Sequence, residues 1–349
     1  MDIGAIKTKK EKRQFKDFRR KLYCGDPFYV STVEFTVDML LKKETAFAKS
    51  IDICPVLGVE EGEILLSAML IHCPKDDFLQ VAFFEAVEGL TTEIDSFMEY
   101  AKERAKALGL KRIIIGLNGH LSYGVGLSLN MARANTFDST YTKLYYPAYF
   151  KKCKTHKLVA FSNDLSQIQV NLPMREDGIT VRTIDFSDFK NEMERFRKVC
   201  DQTIGKTFLY SPTDPGHFED LIGSMRFFLK KENILFAERD GEVVGFLFWH
   251  PDYNELLKKG KHNSLLGIAV RYILFKKRIK RVKLNSVGVM EEYQGFGTAK
   301  LLQAFEAYAR KYSVAETNFV WCSNQKSMLI NKAAFRNVER TFAVYEVEI

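Results

Sequence analysis

The chain has 349 residues, 46% hydrophobic and 28% charged, which excludes a disordered or low-complexity protein and leaves room for more than one core. Its N-terminus, MDIGAIKTKKEKRQFKDFRRKLY, lacks the apolar run of a secretion signal. The most apolar stretch, Leu265 to Phe275, is broken by Arg271 and falls short of the roughly 18 residues of a membrane span. Six cysteines without a CxxC pair read as reduced thiols, so no disulfide framework and no metal site are expected, and the expected location is cytoplasmic. The net charge of +8 is uneven, with ten Lys or Arg and no Asp or Glu between Lys258 and Lys283 and a second basic cluster from Lys7 to Lys21. Such stretches meet nucleic acid, an anionic surface or a polyanionic ligand, or are simply solvated helix faces.

The first half opens its regular pattern with a hairpin, CPVLGVEEGEILLSAMLI (Cys54–Ile71), followed by the strand FLQVAFFE. A helix is predicted from about Thr92, where Thr92 and Asp95 have capping-box spacing, to Gly109, a residue suited to the left-handed position after a helix. The strand KRIIIGLN comes next, then the glycine-rich GLNGHLSYGVG (Gly116–Gly126) and the aromatic TKLYYPAYF. The second half repeats this order after a join near Gln167 to Glu176: a strand at GITVRTIDF, helices over Asp188–Ile204 and His217–Leu229, and two strands in ILFAERDGEVVGFLFW turning at Asp240-Gly241. A basic insertion follows, read as a helix with Leu265, Ile268, Val270 and Ile273 partly buried. The strand RVKLNSVGV runs into the turn QGFGTA and a helix with Leu301, Leu302, Phe305, Tyr308 and Tyr312 on one stripe. A strand at Phe319–Cys322, a short helix and TFAVYEVEI close the chain. The expected fold class is α/β, an α+β mixed sheet used twice, with domains at 1–173 and 174–349.

A glycine turn between strand and helix surrounds an anion with backbone N–H groups. Two familiar versions fail here. The third glycine of GxGxxG is replaced by Lys300, and the only GK[ST], Gly205-Lys206-Thr207, has Cys200 where a Walker loop needs its first glycine. The strand before the turn changes phase, Val282 and Leu284 against Val287 and Val289, as a β-bulge would make it.

Gln294, Gly297 and Ala299 reproduce [QR]xxGx[GA], and with the hairpin before and the strand–helix–strand after, residues from Gly178 to Ile349 resemble the GCN5-related N-acetyltransferase (GNAT) superfamily. The first half resembles the same fold more faintly, so the chain looks like a tandem-domain member with a degenerate N-terminal half. The resemblance implies two acyl-CoA N-acyltransferase-like domains, with acetyl-CoA as co-substrate and no metal. It places the pyrophosphate on the amides of Gln294, Gly295, Phe296, Gly297, Thr298 and Ala299, with pantetheine along Val287 and Val289 and Asn324 near the cofactor. The implied reaction moves an acetyl or longer acyl group to a primary amine of a small molecule or peptide.

The family's acid–base groups are not reproduced. RVKLNSVGV has no carboxylate, leaving Asn285 and Ser286, and Asn331 stands where a tyrosine is frequent. His250, Asp252 and Tyr253 end the preceding strand, and His250 is the candidate base beside the weaker catalytic candidates Asn285 and Asn324. In the first half, FFEAVEGLTTEI has one glycine and no such motif, so that half is expected not to bind CoA; Asn118, His120, Tyr123 and Tyr146 either shape the acceptor site or belong to a packed connecting segment with buried aromatics. Two other readings stand: an aminoacyl-tRNA-dependent peptidyl transferase of the paired-domain type, which the basic 258–283 segment suits, and a non-catalytic CoA-binding protein.

Overall fold

The computed structural model describes residues 1–131, 133–168 and 178–349; the expected join at 173/174 lies outside the described residues. In chain order the elements are β1 (Asp2–Ala5), α1 (Lys9–Leu22), α2 (Val33–Lys42), α3 (Ala46–Ser50), β2 (Asp52–Glu60), β3 (Glu63–His72), β4 (Phe78–Ala86), α4 (Thr92–Ala107), β5 (Arg112–Ile115), β6 (Leu127–Ser128), α5 (Tyr146–Tyr149) and β7 (Lys154–Asp164). Then follow β8 (Ile179–Thr183), α6 (Phe189–Ile204), α7 (His217–Met225), β9 (Ile234–Arg239), β10 (Glu242–Pro251), α8 (Leu265–Phe275), β11 (Arg281–Val289), α9 (Phe296–Ala309), β12 (Val314–Thr317), β13 (Val320–Trp321), α10 (Gln325–Ala334) and β14 (Asn337–Glu348).

One compact unit comprises Met1–Leu158, Leu256–Leu274 and Arg340–Ile349. Its strands run in the order β1-β2-β3-β4-β5-β14; β4 and β5 are parallel, and the other pairs antiparallel. The β2–β3 hairpin turns at Glu61 and Gly62, both with positive φ (49° and 84°), the geometry that matches strand twist. Phe84, Phe97, Tyr146 and Phe150 centre its core. The helix predicted from Thr92 does start there, but its N-cap is Thr91 and no side chain caps it; the Glu93 carboxylate instead accepts the Thr91 N–H at 2.9 Å. Its end is as expected, with Gly109 at φ 70° and the Leu110 N–H returning to Ala105 O. The stem of the basic insertion is fixed in this unit. Lys259 forms a β-bridge with Val30, while Gly260 accepts the Gly25 N–H at 3.0 Å and donates its own N–H to Tyr29 O at 2.8 Å.

The other unit comprises Val159–Glu255 and Phe275–Glu339. Residues 162–164 of β7 pair with β12, and the order continues β12-β11-β10-β9-β8, with only β11 and β12 parallel. The β9–β10 hairpin turns at Asp240 and Gly241, at φ 51° and 82°. Alternation along β10 sends Phe246 and Phe248 to one face, where they pack with Phe196, Phe218 and Ile222 of α6 and α7. Leu247 and Trp249 go to the other face, against Leu301, Phe305 and Ala309 of α9. Truncating a core aromatic such as Phe196 costs about 3–5 kcal/mol. The stripe expected on α9 is narrower than predicted: Tyr308 is exposed, and Ala309 takes the buried position.

Candidate functional site

The phase change read from RVKLNSVGV is a bulge. Against β10, Trp249 pairs with Leu284 and Phe248 with Ser286, so Asn285 is the extra residue. Against β12, pairing covers Arg281–Leu284 only, and Asn318 then donates its N–H to Leu284 O at 2.8 Å. From Asn285 to Val289 the strand leaves its parallel neighbour and leads into the turn. No motif in the sequence marks Gly288, yet a Cβ there would lie 2.2 Å from Thr203 Oγ1, so only glycine lets α6 approach the bulged strand.

Gly295 caps α9 at φ 96° with open space where a Cβ would point, and no side chain caps the helix. A 14-residue helix with an uncapped N-terminus behind a glycine is a fit cradle for an anion. Gly297 is buried at the first turn, where a Cβ would stand 3.0 Å from Val289 Cγ1, so a side chain there closes the gap between strand and helix. Phe296, Thr298 and Ala299 lie in the same first turn, and the Ala299 N–H bonds Gly295 O at 3.1 Å. Gln294 donates from Nε2 to Val289 O at 3.2 Å and accepts from Lys326 Nζ, tying turn, strand and α10 together. Lys326 brings a cation beside the turn; its position depends on how α10 folds back, and no spacing in the sequence signals it.

The candidate base His250 is wholly buried in β10. Its Nδ1 lies 3.0 Å from Pro251 O, its ring stacks on Tyr253, and burial together with Lys283 holds its pKa down to about 3. It is therefore neutral at ordinary pH and a weak proton acceptor. Asp252 and Tyr253 are buried beside it rather than exposed. Asn285 and Val287 are half-buried, and Val289 is buried. Asn324 is exposed and caps α10, accepting the Ser327 N–H at 3.0 Å. Asn331 is half-buried within that helix and donates to Ser327 O at 2.8 Å.

In the other unit, β4 has the same form as β11. Ala82 pairs with Met69 and Glu85 with Ser67, so one extra residue bulges between them, and pairing with β5 covers only Phe78–Val81. Here the strand end is occupied by the protein itself. Asn118 Oδ1 accepts the Phe83 N–H at 2.8 Å, Tyr145 OH donates to Ala86 O at 2.7 Å, and Tyr149 OH donates to Val87 O at 2.6 Å. Tyr146 OH accepts the Ala86 N–H at 3.0 Å and donates to Glu85 at 2.7 Å. Glu85 is buried, paired with Arg19 and bonded by Tyr23 OH at 2.9 Å. The four residues expected at an acceptor site are thus inside this unit: Asn118 and Tyr146 bonded to β4, and His120 and Tyr123 buried beside Phe47.

Among the described residues, no cluster of three or more His, Cys, Asp or Glu could hold a metal, and no helix is long and apolar enough to cross a membrane. The Acetyltransferase (GNAT) family model matches residues 206–329, which contain the bulged strand and the glycine turn. A protein from Caulobacter vibrioides (strain NA1000 / CB15N) named bacterial ceramide synthase is 23% identical over 181 residues, covering 48% of this chain and 46% of that protein, so the match spans about half of either. Two solved structures share the fold. The GCN5-related glucosamine N-acetyltransferase region of a fungal multi-domain GH3 beta-N-acetylglucosaminidase matches at TM-score 0.58 and 11% identity, over 99% of this chain and 38% of that one. A conserved protein from Enterococcus faecalis V583, described as a probable N-acyltransferase, matches at 0.55 and 8%, over 100% and 72%. Residues 206–329, in the glycine-turn unit, match the GNAT family, and the likeness to the solved structures extends over the rest of the chain as a likeness of fold.

Proposed function

We propose that the unit carrying β11 and α9 transfers an acyl group from acyl-CoA to a primary amine, and that the unit carrying β4 binds no CoA. The observation that carries this reading is the uncapped N-terminus of α9 with Gly295 and Gly297, at the end of a bulged strand that has left its neighbour. Helix α4 is also uncapped, but there Asn118 and three tyrosines bond the strand end. The amides of Gly295 to Thr298 would receive the pyrophosphate, those of Gln294 and Ala299 being bonded to Glu291 O and Gly295 O; Lys326 would add a positive charge beside it, and the main chain of Val287 and Val289 would guide the pantetheine arm.

In the transfer, the amine nitrogen bonds to the thioester carbonyl carbon and the carbon–sulfur bond breaks. The amine gives up a proton and the departing thiolate gains one, leaving an amide and a free thiol. With no carboxylate on β11 and His250 held neutral, the chain's contribution is to hold the two reactants together while water carries the proton. Acetyl-CoA is the first donor to test. The relative named as a ceramide synthase makes longer acyl donors and long-chain amino alcohols worth testing beside it.

The test is a thermal shift with acetyl-CoA on the parent and on Gly297→Glu. A ligand at a hundred times its Kd adds about 2.7 kcal/mol, or roughly 5–11 °C. A shift that the variant loses supports the turn as the site; no shift in the folded parent with acetyl- or longer acyl-CoA refutes it. Asn331 in the tyrosine's place favours a second reading, a protein that binds CoA without transfer. Release of free thiol only when an amine is present excludes it.

A further inference from the structure

Helix α8 is inverted with respect to an ordinary surface helix: its apolar side chains face outward. Leu265, Leu266, Val270, Ile273 and Leu274 are 68, 77, 45, 59 and 64% exposed, whereas Ile268 alone of its residues is buried. Leu266, Val270, Ile273 and Leu274 follow the spacing of a single helical stripe, so the exposure is one continuous strip. The burial expected from sequence for Leu265, Val270 and Ile273 is therefore corrected, because the stripe is turned away from the core. These five account for five of the twelve large hydrophobic side chains exposed among the described residues, which makes the strip a patch rather than scatter.

Along the chain, cations flank the strip on both sides. Lys258, Lys259 and Lys261 are exposed before it, and Lys276, Lys277, Arg278 and Lys280 are exposed directly after it. The acidic groups bonded to the insertion are already engaged: Glu34 pairs with Arg20 and His262, and Glu255 accepts the backbone N–H groups of Lys280 and Arg281. The helix is held on a fixed stem, with Ser264 Oγ accepting the Gly267 N–H and Arg271 donating to Leu256 O.

We infer that α8 docks this protein on an anionic lipid bilayer, the apolar strip entering the interface and the flanking cations meeting lipid phosphates. An apolar helix face between lysine clusters matches the boundary where acyl chains meet charged headgroups. A second copy of the chain fits less well, because a two-fold contact over this strip would set the same cations against each other with no carboxylates between them. This surface does not depend on the acyl-transfer reading, and its test needs no turnover.

The full chain is sedimented with phosphatidylglycerol–phosphatidylcholine vesicles and with phosphatidylcholine vesicles alone. The parent is expected to bind the anionic vesicles, Leu266→Glu/Ile273→Glu to bind at least about tenfold more weakly, and Lys276→Gln/Lys277→Gln/Arg278→Gln to lose the preference for anionic lipid. All five side chains are exposed, so unchanged melting of both variants checks their fold. Failure of the parent to bind anionic vesicles overturns the inference, as does equal binding by the parent and the two variants. A parent dimer that Leu266→Glu/Ile273→Glu converts to monomer, without vesicle binding by the parent, overturns it by assigning the strip to a second copy.

Discussion

The strands β4 and β11 are built alike and end differently. Each pairs for four residues with a parallel neighbour, bulges by one residue against its antiparallel neighbour and then leads toward a helix. Neither following helix has a side-chain cap, but the turn after β11 carries Gly295 and Gly297, whereas Asn118 and three tyrosines bond the backbone of β4 and of Val87 just past it. A bulged, splayed strand supplies a slot, and neighbouring side chains decide whether a ligand or the protein fills it.

The largest expected effect is at the open slot. Gly297→Glu puts a Cβ 3.0 Å from Val289 Cγ1 and a carboxylate where an anion would bind, so transfer should fall by roughly a hundredfold or more in a thiol-release assay. Calorimetry on the parent should give a single acyl-CoA per chain; two would break the contrast between the strands. At the filled slot, Glu85→Ala leaves Arg19 buried without its partner and should cost about 3–5 kcal/mol in urea denaturation. Unchanged stability would mean that Glu85 does not hold the filling together.

His250 sharpens the comparison through pH. Its folded pKa of about 3 lies below the ordinary 6.5, so the unfolded chain binds the proton more readily. The stability contribution is therefore complete above about 6.5 and is lost as pH falls toward 3. His250→Gln should flatten the stability–pH curve over that interval, measured by denaturation at a series of pH values. A rate limb near neutral pH that vanished in this variant would instead make His250 the base. The smallest effect is expected for Tyr149→Phe, which removes one bond to Val87 O and should cost about 1 kcal/mol.

Much of this is legible in the sequence because local rules carry it. The turn glycines, the Asp240-Gly241 hairpin, the bulge phase and the end of α4 at Gly109 all follow from backbone geometry written in neighbouring residues. What escapes the sequence depends on distant contacts. The tyrosines of TKLYYPAYF read equally as pocket lining or as packed aromatics, because nothing local shows that they reach back to the end of β4. The outward face of α8 escapes because periodicity finds an apolar stripe without saying which side it faces.

The unit containing β4 also includes Arg340–Ile349, whose β14 strand pairs with β5 at Tyr345 and Ile115. During synthesis, β5 therefore emerges long before its partner and must wait with one edge unpaired. Such an edge is a template for wrong pairing, and closing so distant a contact is slow. Maturation of this unit is set by the arrival of the last strand, and the nascent chain is most open to aggregation, and most in need of a chaperone, in the interval before it.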